Sequence, residues 1–250
     1  MNKKKYKRNA MIWTVFAIAY CFVTRLVDVG IAGETQTEVG CVTINGKLYE
    51  LLGSFNPMAY KISEILGYLM ILICAIYGLI GLVQWIKRKN MLKVDAEILC
   101  TGVLFSVTIG LYVLFNKVAI TYRPIIVPGE DALEASFPSS HSMLAIVVML
   151  ATVNLANKYM SKKVLVGEST SSKGNKASIL YIVKIIAYAL ALALPIIRFE
   201  SGVHWITDII AGIFIACALI AWYKVALETF SNETVALKEV NSRGGKHFKK

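Results

Sequence analysis

The chain has 250 residues, 56% of them hydrophobic, with a mean hydropathy of +0.60 and a formal net charge of +11. That apolar content exceeds the roughly 45–50% of an ordinary soluble domain and excludes one. The excess is gathered into runs at residues 10–27, 65–86, 98–115, 140–156, 179–197 and 203–227. At about 1.5 Å per helical residue these approach or exceed the roughly 30 Å of a bilayer's hydrocarbon core. The predicted fold class is all-α, a polytopic membrane protein with a bundle of six transmembrane helices.

A basic chain can also signal nucleic acid, but the distribution of the charge argues against it. With the N-terminus inside and six alternating spans, the inner segments hold 20 of the 27 Lys and Arg. They hold only 6 of the 16 Asp and Glu, and Lys184 falls inside a span. The excess is thus a positive-inside bias, which places both termini in the cytosol and predicts a multi-pass protein of the cell (plasma) membrane. The five cysteines form no disulfide framework, since Cys21, Cys74, Cys100 and Cys217 lie in spans and Cys41 is alone in an outer loop. No Cys/His metal spacing appears.

Taken in order, residues 1–8 are a basic lead and residues 10–27 a retained first span rather than a signal peptide. Arg25 and Asp28 are expected to pair at the interface. The outer loop at residues 28–64 contains 42–44, Asn45-Gly46 and 47–49, which read as a short hairpin closed by a type I′ turn. The loop is expected to be a solvated connector. Residues 87–93 form a short cytosolic turn, and 168–175 a polar, Ser-rich loop. Lys184 snorkels to the inner interface. Gly212 and Ala216 give a small-xxx-small pattern for helix packing. Asn232-Glu233-Thr234 matches a glycosylation sequon but falls on the cytosolic side.

Three polar clusters fall at the ends of spans assigned to the outer face: 117–124 (KVAITYRP), 137–141 (FPSSH) and 198–208 (RFESGVHWITD). Ionisable groups at such depth are costly and are functional candidates by default. His204 and Asp208 are four residues apart, on one face if the last helix starts there. The carboxylate can then hold one ring nitrogen while the other keeps a basic lone pair. Arg123, Arg198 and Lys117 are fixed donors suited to a phosphoryl group. Ser139 is the expected N-cap of the fourth span, whose first amides face an anion. His141 beside them can protonate a leaving oxygen. A cluster of three cations would repel a metal ion, so none is expected. Taken alone, 198–208 is also compatible with a structural cluster of capping His, snorkelling Arg and buried Asp.

These residues resemble the three signature motifs of the type 2 phosphatidic acid phosphatase family of integral membrane lipid phosphatases, which shares its core with vanadium haloperoxidases. The family pattern is Lys-x6-Arg-Pro, Pro-Ser-Gly-His and Ser-Arg-x5-His-x3-Asp. The third motif matches closely, with flanking Gly202, Trp205 and residues 209–212. The resemblance implies a catalytic core over residues 98–227, preceded by two helices in 1–97 and followed by a basic cytosolic tail, 228–250. It implies His204 as nucleophile, His141 as general acid and Asp208 as the partner of His204. Arg123, Arg198, Ser139 and the amide of Ser140 would bind phosphate at the outer membrane face.

Three positions depart from the pattern. Lys117 stands five residues before Arg123, and Asn116 holds the family's lysine position. Either the helix end shifts so that Lys117 reaches the site, or Asn116 gives a weaker neutral hydrogen bond. Ser140 replaces glycine and keeps the amide; Ile197 replaces serine. The expected activity is metal-independent hydrolysis of a lipid phosphate or polyprenyl diphosphate, without a cofactor, through a phosphohistidine. Candidate substrates are undecaprenyl diphosphate, phosphatidic acid and phosphatidylglycerol phosphate. The alternatives are a lipid phosphotransferase using the same site, or a non-catalytic anion-binding membrane protein or transporter.

Overall fold

The computed structural model describes residues 3–52, 55–164 and 170–244. It contains α1 (Lys3–Leu26), a two-stranded hairpin of β1 (Gly30–Ala32) and β2 (Thr37–Val39), and α2 (Val42–Leu52). There follow α3 (Pro57–Arg88), a 3-10 turn (Met91–Lys93), α4 (Ala96–Lys117), α5 (Ser140–Val164), α6 (Thr170–Glu200) and α7 (Ile206–Gly244). Six of these helices are long and apolar enough to cross a membrane: α1, α3, α4, and the segments Ser140–Lys158, Ala177–Glu200 and Ile206–Phe230. The all-α, six-span bundle read from the sequence is therefore the architecture. The predicted polar loop at 168–175 is different: residues 170–175 open α6, and 168–169 lie outside the described residues. The sequon residues 232–234 fall within α7, which runs on to Gly244, while 245–250 lie outside the description.

The bundle is built around α5, the most buried of the spans. Its small and branched side chains Ala145, Val147, Val148 and Ala151 are fully enclosed and let α6 and α7 approach on two sides. Gly212 on α7 serves the same end, since a Cβ there would lie 2.8 Å from the Ser139 carbonyl oxygen at the mouth of α5. The outward faces of α3 and α4 carry exposed Tyr68, Ile71, Leu72, Val103 and Ile109. With only lipid to meet them, such side chains need no protein partner. At one end of the bundle Arg88 pairs with Asp95 at 2.9 Å and Lys158 with Glu97 at 2.8 Å. At the other end the C-termini of α1, α4 and α6 meet the N-termini of α3, α5 and α7.

At that second end the long loop at residues 28–64 is structured. The expected hairpin around Asn45-Gly46 is instead the helix α2, and the true hairpin lies earlier, at β1 and β2. Asn45 explains the outcome. Buried, it donates to the Gly40 carbonyl at 2.8 Å and to Thr207 Oγ1 at 3.0 Å, a tertiary use of a side chain that a type I′ turn would leave in solvent. Gly46 meets nothing within 4 Å, so its only cost is the ~1 kcal/mol of glycine in a helix. The expected Arg25–Asp28 pair is also replaced. Asp28 accepts from the Thr43 amide at 2.9 Å and hydroxyl at 3.2 Å, satisfying a free donor in the first turn of α2.

Candidate active site

The turn into α7 sets the frame. Gly202 takes a φ of +74°, and Trp205 precedes the first helical residue. Asp208, three residues on, reaches back to accept the Trp205 amide at 3.0 Å on Oδ2, as in a capping box. Its other oxygen accepts from Thr121 at 3.1 Å, and Thr121 in turn meets Ser136 Oγ at 3.0 Å. The fully buried carboxylate is thus held by the first and third polar segments, with Ser136 behind Thr121. His204 Nδ1 lies 3.5 Å from Asp208 Oδ2, at the limit of a hydrogen bond.

His204 is only 4% exposed, and neither ring nitrogen makes a hydrogen bond. Burial above all, and then the charges of Arg198, Arg123 and His141, hold its pKa well below the ordinary value. These effects favour the neutral ring. With Asp208 beside Nδ1, the available lone pair is on Nε2.

The two arginines approach from different elements. Arg198, in the last turn of α6, is 1% exposed and lies 5.2 Å from the centroid of the Tyr60 ring. Its Nη1 donates to Ser63 Oγ at 3.0 Å and to Glu64 Oε1 at 2.7 Å, while Nε is buried without a partner. Arg123 sits where residues 121–123 run antiparallel to 134–136, tied by Arg123 N to Glu134 O at 3.0 Å and Ser136 N to Thr121 O at 2.9 Å. Its Nη2 pairs with Glu134 Oε2 at 2.7 Å, and its Nε is also without a partner.

The mouth of α5 completes the cluster. Ser139 follows the cis Phe137–Pro138 peptide and caps the helix, its Oγ lying 3.4 Å from the Ser142 amide and 2.9 Å from Ser142 Oγ. Its amide is bound to the Asp208 carbonyl at 3.0 Å, which fastens α5 to α7. Among the described residues, the amides of Ser140 and His141 find no backbone or side-chain acceptor. His141 lies against α3 at Gly67, where a Cβ would stand 2.6 Å from its Cδ2 and 2.7 Å from its Nε2. That nitrogen is 3.5 Å from Glu64 Oε1.

Of the residues expected at the site, the structure brings together His204, His141, Asp208, Arg123, Arg198, Ser139 and Ser140. Lys117 is not among them: it is exposed at the end of α4, and its side chain makes no hydrogen bond or ion pair among the described residues. Asn116 is turned back to the Tyr112 carbonyl at 3.0 Å. A shift of one residue at a helix end rotates a side chain by about 100°, which carries it off the face.

The family model of the PAP2 superfamily matches residues 99–231, more than half of the chain. The chain belongs to the PAP2 superfamily. Among solved structures it is similar to a transmembrane PAP2-type phosphatidylglycerolphosphate phosphatase from Bacillus subtilis. The two share 18% identity with a TM-score of 0.59, over 88% of this chain and 96% of that one. At this identity the likeness is one of fold. No curated protein sequence matches the chain.

Two site features of this PAP2 member escaped the sequence reading: Glu64 and Glu134, each holding one of the arginines. The available signal was a carboxylate at a membrane edge, next to the start of an apolar run. The loop at residues 28–64, expected to be a solvated connector, also packs on these segments. Thr35 bonds the Arg123 carbonyl through its hydroxyl at 2.9 Å and the Pro124 carbonyl through its amide at 3.2 Å. Trp205 Nε1 bonds the Tyr122 carbonyl at 2.8 Å, and its ring packs on Tyr49 at 5.6 Å. On the α2 side of His204, the side chains of Asn45, Tyr49, Leu52, Phe199 and Ile206 leave no room for water. A groove of about 400 Å³ opens instead on the His141 side, lined by Glu64, Tyr68, Ile71, Phe105, Ile109 and Leu144 among others.

Proposed function

We propose that this PAP2 phosphatase hydrolyses the terminal phosphate of a membrane lipid through a covalent phosphohistidine at His204. The observation that carries the reading is the buried His204, with an unpartnered Nε2 beside two arginines, a second histidine and two free helix amides. In the first step Nε2 attacks phosphorus and a P–N bond forms as the P–O bond to the lipid breaks. Asp208 stabilises the imidazolium charge from the Nδ1 side. Arg123, Arg198 and the amides of Ser140 and His141 are placed for the equatorial phosphoryl oxygens, whose charge grows in transfer. His141 gives its proton to the departing lipid oxygen, then takes one from the water that cleaves the P–N bond. The residues supply every proton transfer and charge contact, so the reaction is written without a metal.

The groove supports a tailed substrate. It is apolar, opens between α3, α4 and α5 where lipid would lie, and leads to His141, whereas the opposite side of His204 is closed by α2 and Trp205. The positive-inside bias supports an outer-leaflet site in the plasma membrane with both termini cytosolic. Phosphatidic acid, phosphatidylglycerol phosphate and undecaprenyl diphosphate all present a terminal phosphoryl group on a long tail. The test is phosphate release from such a panel by the purified protein in EDTA, beside His204→Ala and His141→Ala. Release by the parent chain and its loss in both variants is expected; full activity of His204→Ala would overturn the assignment.

A further inference from the structure

Asp208 has two carboxylate oxygens, and the fold gives each one a donor. Oδ2, the oxygen 3.5 Å from His204 Nδ1, accepts the Trp205 amide at 3.0 Å. Oδ1 accepts the Thr121 hydroxyl at 3.1 Å. The amide belongs to the same turn as Asp208, whereas the hydroxyl comes from a segment 87 residues away in the chain. Its presence there is a tertiary arrangement, and its backbone aims it. Residues 121–123 run antiparallel to 134–136, tied by Ser136 N to Thr121 O at 2.9 Å and Arg123 N to Glu134 O at 3.0 Å. In extended chain alternate side chains share a face, so Thr121 stands on the same side as Arg123, while the exposed Tyr122 is on the other. The spacing Thr-x-Arg thus sends one group to Asp208 and the next to the phosphate-binding cluster.

The sense of the bonds around Thr121 follows from the groups involved. Asp208 acts on His204 as a carboxylate, which only accepts, so the single hydroxyl hydrogen of Thr121 goes to Oδ1. Ser136 Oγ, 3.0 Å from Thr121 Oγ1, is then the donor of that pair. Both hydroxyls are buried, so water does not stand in for either. The chain of bonds runs one way, from Ser136 through Thr121 to Asp208, and each bond polarises the next.

A carboxylate turns readily about its last side-chain bond. Donors on both oxygens stop that rotation and keep Oδ2 facing Nδ1. Without the hydroxyl, the enclosed Oδ1 would lack this partner, and a group in that position turns toward whatever donor it can reach. Any such turn weakens the contact that orients the imidazole and supports the positive charge formed on it. Resting on the proposed phosphatase reaction, we propose that Thr121 is a positioning residue for the nucleophile, its hydroxyl fixing Asp208 so that Oδ2 holds Nδ1 of His204 and leaves Nε2 to attack.

The test follows phosphate release from dihexanoyl phosphatidic acid by the full chain in detergent and EDTA. The parent, Thr121→Val and Thr121→Ser are compared, then the parent and Thr121→Val with Asp208→Asn added, and thermal unfolding checks that each is folded. Thr121→Val keeps the shape and removes the donor, so kcat should fall between about ten- and a hundredfold with KM little changed. Thr121→Ser restores the hydroxyl and should return most of the rate. In the Asp208→Asn chain, Thr121→Val should cost little more, because its route to His204 is already cut; a residue that only supports the fold would cost the same in both backgrounds. Should Thr121→Val not fold, Thr121→Ser against Thr121→Cys carries the comparison, since a thiol is a weak donor of similar size. The serine variant should then be the faster by about tenfold. Full activity of Thr121→Val, equal rates of the serine and cysteine variants, a change in KM alone, or an undiminished loss in the Asp208→Asn chain would overturn the role of Thr121 and leave the phosphatase reading standing. No release by the parent would overturn both.

Discussion

Replacing Gly67 by alanine puts a methyl group into the face of α3 against which His141 packs. The new Cβ would lie 2.6 Å from His141 Cδ2 and 2.7 Å from Nε2, where ordinary contact begins at 3.4 Å. The ring must therefore retreat by about 0.8 Å, and it can, because these atoms form the free end of the side chain. The fold should lose no more than the roughly 1–3 kcal/mol typical of overpacking. The chemistry should lose more, since a misplacement of about 1 Å can cost about 10²-fold in rate. The loss should depend on the leaving group. An alkyl lipid oxygen needs the His141 proton, whereas the phenolate of an aryl phosphate departs with little help. Steady-state kinetics on both substrates should show kcat falling about 10²-fold for the lipid phosphate and only a few-fold for the aryl phosphate. Equal losses on the two, or none on the lipid, would refute the placement of His141 as general acid.

Two further outcomes follow from other parts of the site. The folded-state pKa of His204 lies well below its unfolded value near 6.5, so the contribution of His204 to stability should be constant above about pH 6.5 and fall below it. Thermal unfolding between pH 8 and 5 should show an acid-side loss of up to about 1.4 kcal/mol per pH unit that is missing in His204→Gln. A parallel decline in both proteins would contradict a neutral buried imidazole. Asn45→Leu should leave the Gly40 carbonyl and Thr207 without partners, at a cost of about 1–3 kcal/mol. Hydrogen exchange should then show α2 (Val42–Leu52) opening more readily than in the parent chain; unchanged protection would mean α2 is held by other contacts.

The six spans were legible because hydrocarbon thickness imposes a length and a composition that any 20-residue apolar run reveals. Much of the site was legible for a related reason. His204 and Asp208 are joined by one helical turn, and Ser139 and His141 by a helix start, so covalent spacing fixes their geometry. Glu64 could not be read that way. Its partners Arg198 and His141 are brought to it by the packing of α3 against α5 and α6, which no local pattern encodes. The outer loop misled for the opposite reason. Asn45-Gly46 is a strong local signal for a hairpin, and a tertiary hydrogen bond from Asn45 to Thr207 outweighs it. Lys117 shows the limit of motif spacing, because one residue of slippage at the end of α4 leaves the cation exposed and out of the cluster.

The central claim is that phosphate passes through His204. Purified protein in EDTA, mixed for milliseconds with a lipid phosphate radiolabelled at phosphorus and quenched in base, tests it directly. A phosphohistidine is stable to base and labile to acid. Label is expected on the peptide containing His204, formed as fast as turnover and absent in His204→Ala. Sustained phosphate release with no label on that peptide would contradict it.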